Sequence, residues 1–301
     1  MGKCCEMSFL VLTRLNVAVC IVHFGLGLWV LIAKIALKQD WEIPVATTFV
    51  SWHKLDSEIG CGGVDAGNCY VTHEVIVFDN LARISLSGLV CAFHFLSFSW
   101  QLLTLVSGTV RGYYETQVKS GRNLMRWVEY SLSAPLMIIV IGVLLGIVDV
   151  VVLGLLAVCT CILMSFGHLQ ETTQSNPGNL PPHVAGWVLF FLYWSVISFV
   201  FWVGLSQSDA KAPTDILPVI YSVYFLMLTL FGCFGVVQAY QVWYQTKYQA
   251  KYQASDKKEA RTAFNLKIEM TYVVLSLVSK STLGLLVFWG VSVRNRILEF
   301  N

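Results

Sequence analysis

The sequence predicts an all-α membrane protein, a seven-transmembrane-helix bundle, and three observations carry that prediction. Hydrophobic residues make up 56% of the chain and charged residues 13%, against roughly 25% charged in soluble domains, which excludes an ordinary soluble globular enzyme. Seven apolar runs are each close to the roughly 20 residues that cross a bilayer. Lys and Arg gather in alternate connections, as they do in short cytoplasmic loops. The net charge of +2 is uninformative as a total. Nothing in the chain suggests nucleic acid, a metal site or an enzymatic activity.

Taken in order, the first expected span is Phe9 to Lys34. Its apolar core is too long for a signal peptide and lacks a clear small-residue cleavage site, so it reads as retained. The connection at 39–78 carries Asp40, Glu42, Asp56, Glu58, Asp65, Glu74 and, just beyond it, Asp79 against Lys38 and Lys54, which places it outside. Within it, Val45 to Trp52 is β-branched and aromatic and is followed by glycines, the pattern of a small extracellular β-hairpin. Cys61 and Cys69 in the same loop are candidates for a disulfide if the loop is extracellular. Cys20, Cys91, Cys159, Cys161 and Cys233 fall in apolar runs and read as small buried hydrophobes. Cys4 and Cys5 are candidates for acylation beside the membrane.

The second span is Leu81 to Val106. Arg111, Lys119, Arg122 and Arg126 follow, against Glu115 alone, so this connection is inside. The third span, Trp127 to Val148, and the fourth, Val150 to Phe166, are separated by a tight turn at Asp149. Gly142 and Gly146 form a G-x-x-x-G in the third, a motif of close helix packing. The fifth and sixth spans are Ala185 to Leu205 and Ile216 to Trp243. The connection at 244–267 is again basic and inside, with Tyr244, Tyr248 and Tyr252 four apart, a helical stripe at the lipid interface or on a partner-binding face. The seventh span is Ile268 to Val293. The chain is therefore one seven-helix domain, residues 1–301, with a cytoplasmic N-terminus and an extracellular C-terminus. Arg294 and Arg296 run against this orientation.

Lys280 stands near the middle of the seventh run, where an ammonium costs roughly 2.5 to 3.5 kcal/mol, so a partner is expected. Glu129, near the start of the third span, is the best partner in the sequence. Such a pair can hold two helices in register, form a transport site, or activate the lysine. In general desolvation favours a neutral amine, able to attack an aldehyde, and the protonated imine that results needs an anion beside it. Arg126, Glu129 and Ser133 share one helix face, three and four residues apart.

On these residues the sequence resembles the microbial-type rhodopsins, in which a last-helix lysine binds retinal as a Schiff base. Arg126, Glu129, Ser133, Pro135 and Leu136 follow, with conservative changes, the R-x-x-D-x-x-x-T-x-P-L pattern of light-driven proton pumps. The departures matter as much. Ser276 and Val140 stand where pumps carry their second carboxylate and their proton donor, so one internal carboxylate, Glu129, is expected and a pump is not. With Glu129-Tyr130, Ser276-Leu277-Val278-Ser279-Lys280, a long first loop, an inside N-terminus, and His23 and His94, the chain is similar to the heliorhodopsins along essentially its whole length.

That resemblance implies a light-sensing photoreceptor in which Lys280 carries all-trans retinal and Glu129 is the counterion. Ser133 and Ser276 would tune the pair. Tyr130, which stands where pumps place a retinal-facing Trp, would wall the pocket with Met137, Phe231, Phe234 and Ser279. His23 and His94 would form a proton-accepting polar cavity on the cytoplasmic side. It also implies a slow photocycle, a homodimer in membrane lipid, and signalling through the basic loops to a soluble cytoplasmic partner. A light-gated proton channel or weak ion transporter is the alternative.

Overall fold

The computed structural model describes residues 3–36, 42–54, 70–173, 180–207, 217–248 and 258–299. In chain order the elements are α1 (Lys3–Ala36), β1 (Glu42–Lys54), β2 (Tyr70–Ser85), α2 (Leu86–Val106), α3 (Gly108–Ser120), α4 (Leu124–Leu144), α5 (Val150–Thr172), α6 (Pro181–Gln207), α7 (Leu217–Tyr248) and α8 (Lys258–Glu299). Seven of the described helices, all but α3, are long and apolar enough to cross a membrane. Many of their apolar side chains face outward, among them Ile21, Ile35, Leu155, Phe191 and Phe199, as lipid requires.

One end of the bundle collects the start of α1, the end of α2, α3, the start of α4, the end of α5, the start of α6, the end of α7 and the start of α8. This basic end is opposed by a hairpin end, where β1 and β2 lie. The strands pair antiparallel from Glu42 opposite Ser85 to Lys54 opposite Tyr70, with register shifts near Val45 and Ser51. The hairpin is therefore longer than the run Val45 to Trp52, and β2 replaces the expected first residues of the second span. Its foot rests on the α4–α5 turn, where the Ala46 N–H donates to the Val148 carbonyl at 3.0 Å. Cys61, Cys69 and Tyr252 lie outside the described residues.

Local chemistry sets the helix ends. Ser85 caps α2, its hydroxyl accepting from Gly88 N at 2.9 Å and from Lys34 Nζ at 2.6 Å. Asp149 caps α5 by accepting from Val151 N at 2.8 Å and Val152 N at 2.9 Å, which satisfies N–H groups that a helix start leaves without partners. Gly146 takes φ +96° in the turn after α4, so the G-x-x-x-G does not run along one helix. Gly142 serves α4–α5 packing, because a Cβ there would come within 3.0 Å of Leu153.

Pro135 inside α4 has no N–H for the carbonyl of Ser131, and the Cys161 thiol of α5 donates to that carbonyl at 3.3 Å. An additional amphipathic helix, α3, occupies the expected second connection and buries Tyr114 and Val118 against Phe9, Leu12 and Leu266. The connection expected at 244–267 is largely helical: α7 continues to Tyr248, α8 begins at Lys258, and Tyr244 stacks on Phe264 with ring centres 3.7 Å apart. Tyr244 is thus a helix-packing residue. Asp149→Ala removes the α5 cap and is expected to lower stability by about 1 kcal/mol, read as a lower melting temperature in detergent; an unchanged midpoint would mean that Ala46 alone holds the turn.

Candidate functional site

Lys280 and Glu129 meet in the middle of the bundle, their side chains 3% and 10% exposed, so the ion pair is closed off from both ends. The Lys280 ammonium donates to Glu129 Oε1, to Ser97 Oγ at 2.7 Å and to Ser276 Oγ at 3.1 Å. Glu129 Oε1 also accepts from Ser97 Oγ at 2.6 Å and from Ser133 Oγ at 3.3 Å. Hydroxyls from α2, α4 and α8 therefore surround both charges, which is what a buried pair needs to offset its desolvation. Ser97 was missed in the sequence, although it stands one helical turn from His94 on α2. The Tyr130 ring lies 5.4 Å from Lys280 Nζ, and its hydroxyl donates to the Tyr272 carbonyl at 3.1 Å.

Beside Nζ opens a cavity bounded by α4 to α8, lined mainly by apolar and aromatic side chains with a few polar groups, as small-molecule sites are. Tyr130, Ser133, Met137, Phe231, Phe234, Ser276, Ser279 and Lys280 all line it. The structure adds Trp127, Leu163, Met164, Trp187 and Phe190. Two glycines let the indoles form walls: a Cβ on Gly167 would lie 2.3 Å from the Trp127 ring, and one on Gly235 would lie 2.6 Å from the Trp187 ring. At the α6 side, Trp187 Nε1 donates to His183 Nε2 at 3.0 Å, so the proton of a neutral His183 is on Nδ1, facing Gln238 Oε1 at 3.3 Å. Gln238 in turn donates to the Gly167 carbonyl at 2.8 Å. The cavity is thus an apolar, aromatic sleeve with an amine at one wall and a tied-down amide at another.

His23 and His94 are both 1% exposed, and their Nδ1 atoms are 2.9 Å apart, so one ring donates and the other accepts. The pair lies on the hairpin side of Lys280. His94 precedes Ser97 by one turn of α2 in that direction, and its Nε2 would sit 3.2 Å from a Cβ on Gly284, one turn of α8 beyond Lys280. The sequence reading had placed these histidines toward the basic end, and the helix directions reverse it.

The expectation of a single internal carboxylate is also overturned. Glu171 and Glu269 are 1% and 4% exposed, and both bind Arg126, which the sequence had counted as a loop cation. Its guanidinium donates to Glu269 Oε2 and Glu171 Oε1 and lies 3.9 Å from the Tyr272 ring centre. Arg126 therefore turns away from Glu129 and leaves that carboxylate to Lys280. Glu171 lay past the expected end of the fourth span, and Glu269 at the second residue of the seventh, where each reads as an interfacial residue. The helices run longer than the apolar runs, which is why both are internal.

A family model described as Heliorhodopsin matches residues 12–292 of the chain. No curated protein matches it. Among solved structures, the crystal structure of thermophilic rhodopsin is similar at TM-score 0.59 and 14% identity, covering 98% of this chain and 96% of that one. The crystal structure of Exiguobacterium sibiricum rhodopsin is similar at TM-score 0.57 and 11% identity, covering 95% of this chain and 98% of that one. These likenesses show a shared fold.

Gly167→Ala is expected to cost about 1 to 3 kcal/mol, an overpacking penalty, because the Trp127 indole is held by its 2.7 Å bond to Glu171 Oε2 and cannot swing clear. Gly154, whose Cβ would meet nothing within 4 Å, is the matched control. Equal melting temperatures for the two alanine variants would show that the Trp127 wall is adjustable.

Proposed function

Because this chain belongs to the heliorhodopsin family, we propose that it is a light-sensing photoreceptor holding all-trans retinal on Lys280 Nζ as a protonated Schiff base, with Glu129 as counterion. The single observation that carries this reading is that a buried amine, paired with one carboxylate, lines an aromatic cavity. The residues suit the group: the cavity is lined mainly by apolar and aromatic side chains, and its one ammonium is Lys280. Retinal bound there supplies visible-light absorption and a double bond that isomerises from all-trans to 13-cis.

The chain's own residues would do the rest. An ammonium has three N–H donors and uses them on Glu129, Ser97 and Ser276. A lysine nitrogen joined through a protonated imine keeps one, and Glu129, the only anion of the three, has the strongest claim on it. Ser97 and Ser133 would continue to donate to Glu129 and hold it in place. Displacing the nitrogen from Glu129 would change the proton affinity of both groups. The proton could then pass to Glu129, or toward the His23–His94 pair on the opposite side.

The reading favours a sensor over a pump. Val140, fully buried, stands at the position where the pump pattern has a donor carboxylate, and Glu171 and Glu269 lie on the same side of Lys280 as Glu129. A relay that crosses the protein lacks its second half. Signalling would then run through the basic end, placed in the cytoplasm, to a soluble partner, with a slow photocycle and a homodimer in the cell membrane as the working form.

Lys280→Ala should abolish the visible band formed on adding all-trans retinal while the protein still reaches the membrane; a coloured, hydroxylamine-sensitive variant would move the attachment elsewhere. Glu129→Gln removes the anion and should shift absorption to the red or drop the imine into its deprotonated near-ultraviolet form. An unmoved spectrum would assign the counterion to another group.

A further inference from the structure

Five ionisable side chains share the polar axis on the basic side of the site, and their charges do not balance. Lys280 and Arg126 contribute two positive charges, while Glu129, Glu171 and Glu269 contribute three negative ones when ionised. All five are buried. An uncompensated charge in a low-dielectric interior is costly and is ordinarily removed by taking up a proton.

Hydrogen-bond chemistry decides which carboxyl can carry it. Every partner of Glu171 donates without alternative: the Arg126 guanidinium, the Asn123 backbone N–H at 3.0 Å and the Trp127 indole N–H at 2.7 Å. A proton on Glu171 would face donors only. Glu269 differs. Its Oε2 binds Arg126, but its Oε1 is 3.2 Å from the Tyr114 hydroxyl and 2.8 Å from Asn123 Nδ2. A hydroxyl can reverse its role, accepting where it had donated. Burial and the neighbouring Glu269 push the Tyr114 phenol well up, so it stays a hydroxyl. Position agrees with bonding. A polar cavity is lined by Glu129, Glu269, Arg126, Tyr114 and Ser276, whereas Glu171 lies off it. Two donors from residues of the same cavity wall, Arg126 Nε and Trp100 Nε1, are buried without a hydrogen-bond partner, which marks it as a place for polar occupants such as water.

We propose that Glu269 is a resident proton store, a neutral carboxylic acid in the dark that bonds to Tyr114 and exchanges its proton with Glu129 through this cavity. Glu171 is the permanently ionised partner of Arg126. Once the Lys280 nitrogen has given its proton to Glu129 and Glu129 has released it toward the basic end, the O–H bond of Glu269 breaks, its proton crosses the cavity to the Glu129 carboxylate and passes on to Lys280, where an N–H bond re-forms and Glu129 is left ionised again. Glu269 is then recharged from the basic end. Loss and return occur on one side of Lys280, which yields a cycle without net transport. The resting state of Glu269 depends on this chain alone, while the return step rests on Lys280 carrying the pigment.

The test is infrared spectroscopy of the full-length protein in lipid at neutral pH, first in the dark without retinal and then as the illuminated pigment. In the dark, the carbonyl stretch of a protonated carboxylic acid should be present, be absent from Glu269→Gln, and shift in Tyr114→Phe, which removes its acceptor. In the pigment, Glu269→Gln should slow reprotonation at Lys280 by about 100-fold, the scale of a positioned proton donor. No such band in the dark, or one that Tyr114→Phe leaves unmoved, would overturn the store, and Tyr114→Phe suffices if the Glu269 variant does not fold. An unchanged return rate would overturn the exchange. Failure to form any pigment on adding retinal would sink the photoreceptor reading while leaving the dark result to stand.

Discussion

An ammonium in the middle of an apolar bundle must have an anion within reach, and the Lys280–Glu129 pair is the constraint on which the arrangement of α2, α4 and α8 depends. Removing one partner of such a pair leaves a buried charge uncompensated, at a cost of about 3 to 5 kcal/mol. The hydroxyls of Ser97, Ser133 and Ser276 converge on the same few ångströms because two desolvated charges need more than each other. Helix register follows from this. A residue's slip in α2 or α8 would carry Ser97 or Ser276 off the pair and bring an apolar side chain in its place.

From that point the polar groups form an axis through an otherwise apolar molecule. Toward the basic end lie the cavity and the Arg126–Glu171–Glu269 cluster, tied to α3 by Tyr114 and to the turn before α4 by Asn123. Toward the hairpin end lies the His23–His94 pair. Asymmetry is the main property of this axis, with carboxylates on one side and the two imidazole rings on the other. Among the described residues, the buried carboxylates of this axis all stand on one side of Lys280.

The aromatic sleeve beside Lys280 is built on different physics. Indole and phenyl rings supply its walls, and glycines at 167 and 235 give them room to approach neighbouring backbone. Such a pocket is set by shape more than by charge. A lipid-facing bundle tolerates wide substitution on its outer surface, provided that the few buried polar groups and the close contacts remain.

Composition and apolar run length were enough to determine the class of fold, the number of spans and a hairpin between the first two. Lys280, Glu129, Ser133 and Ser276 were legible because a charge in an apolar run is conspicuous and helical spacing puts its neighbours on one face. What sequence could not decide is where each helix ends and what lies opposite. Arg126 reads as a loop cation, and Glu171 and Glu269 as interfacial acids, until α4, α5 and α8 extend past their apolar cores and close around one another. Ser97 is one hydroxyl among many in α2, and the side of Lys280 on which the histidines fall depends on helix direction and offset. Those are properties of packing. Desolvation of a charge can be read from the run that carries it, but the identity of its partner belongs to the tertiary structure, because pairing is decided by distances between helices that no local pattern encodes.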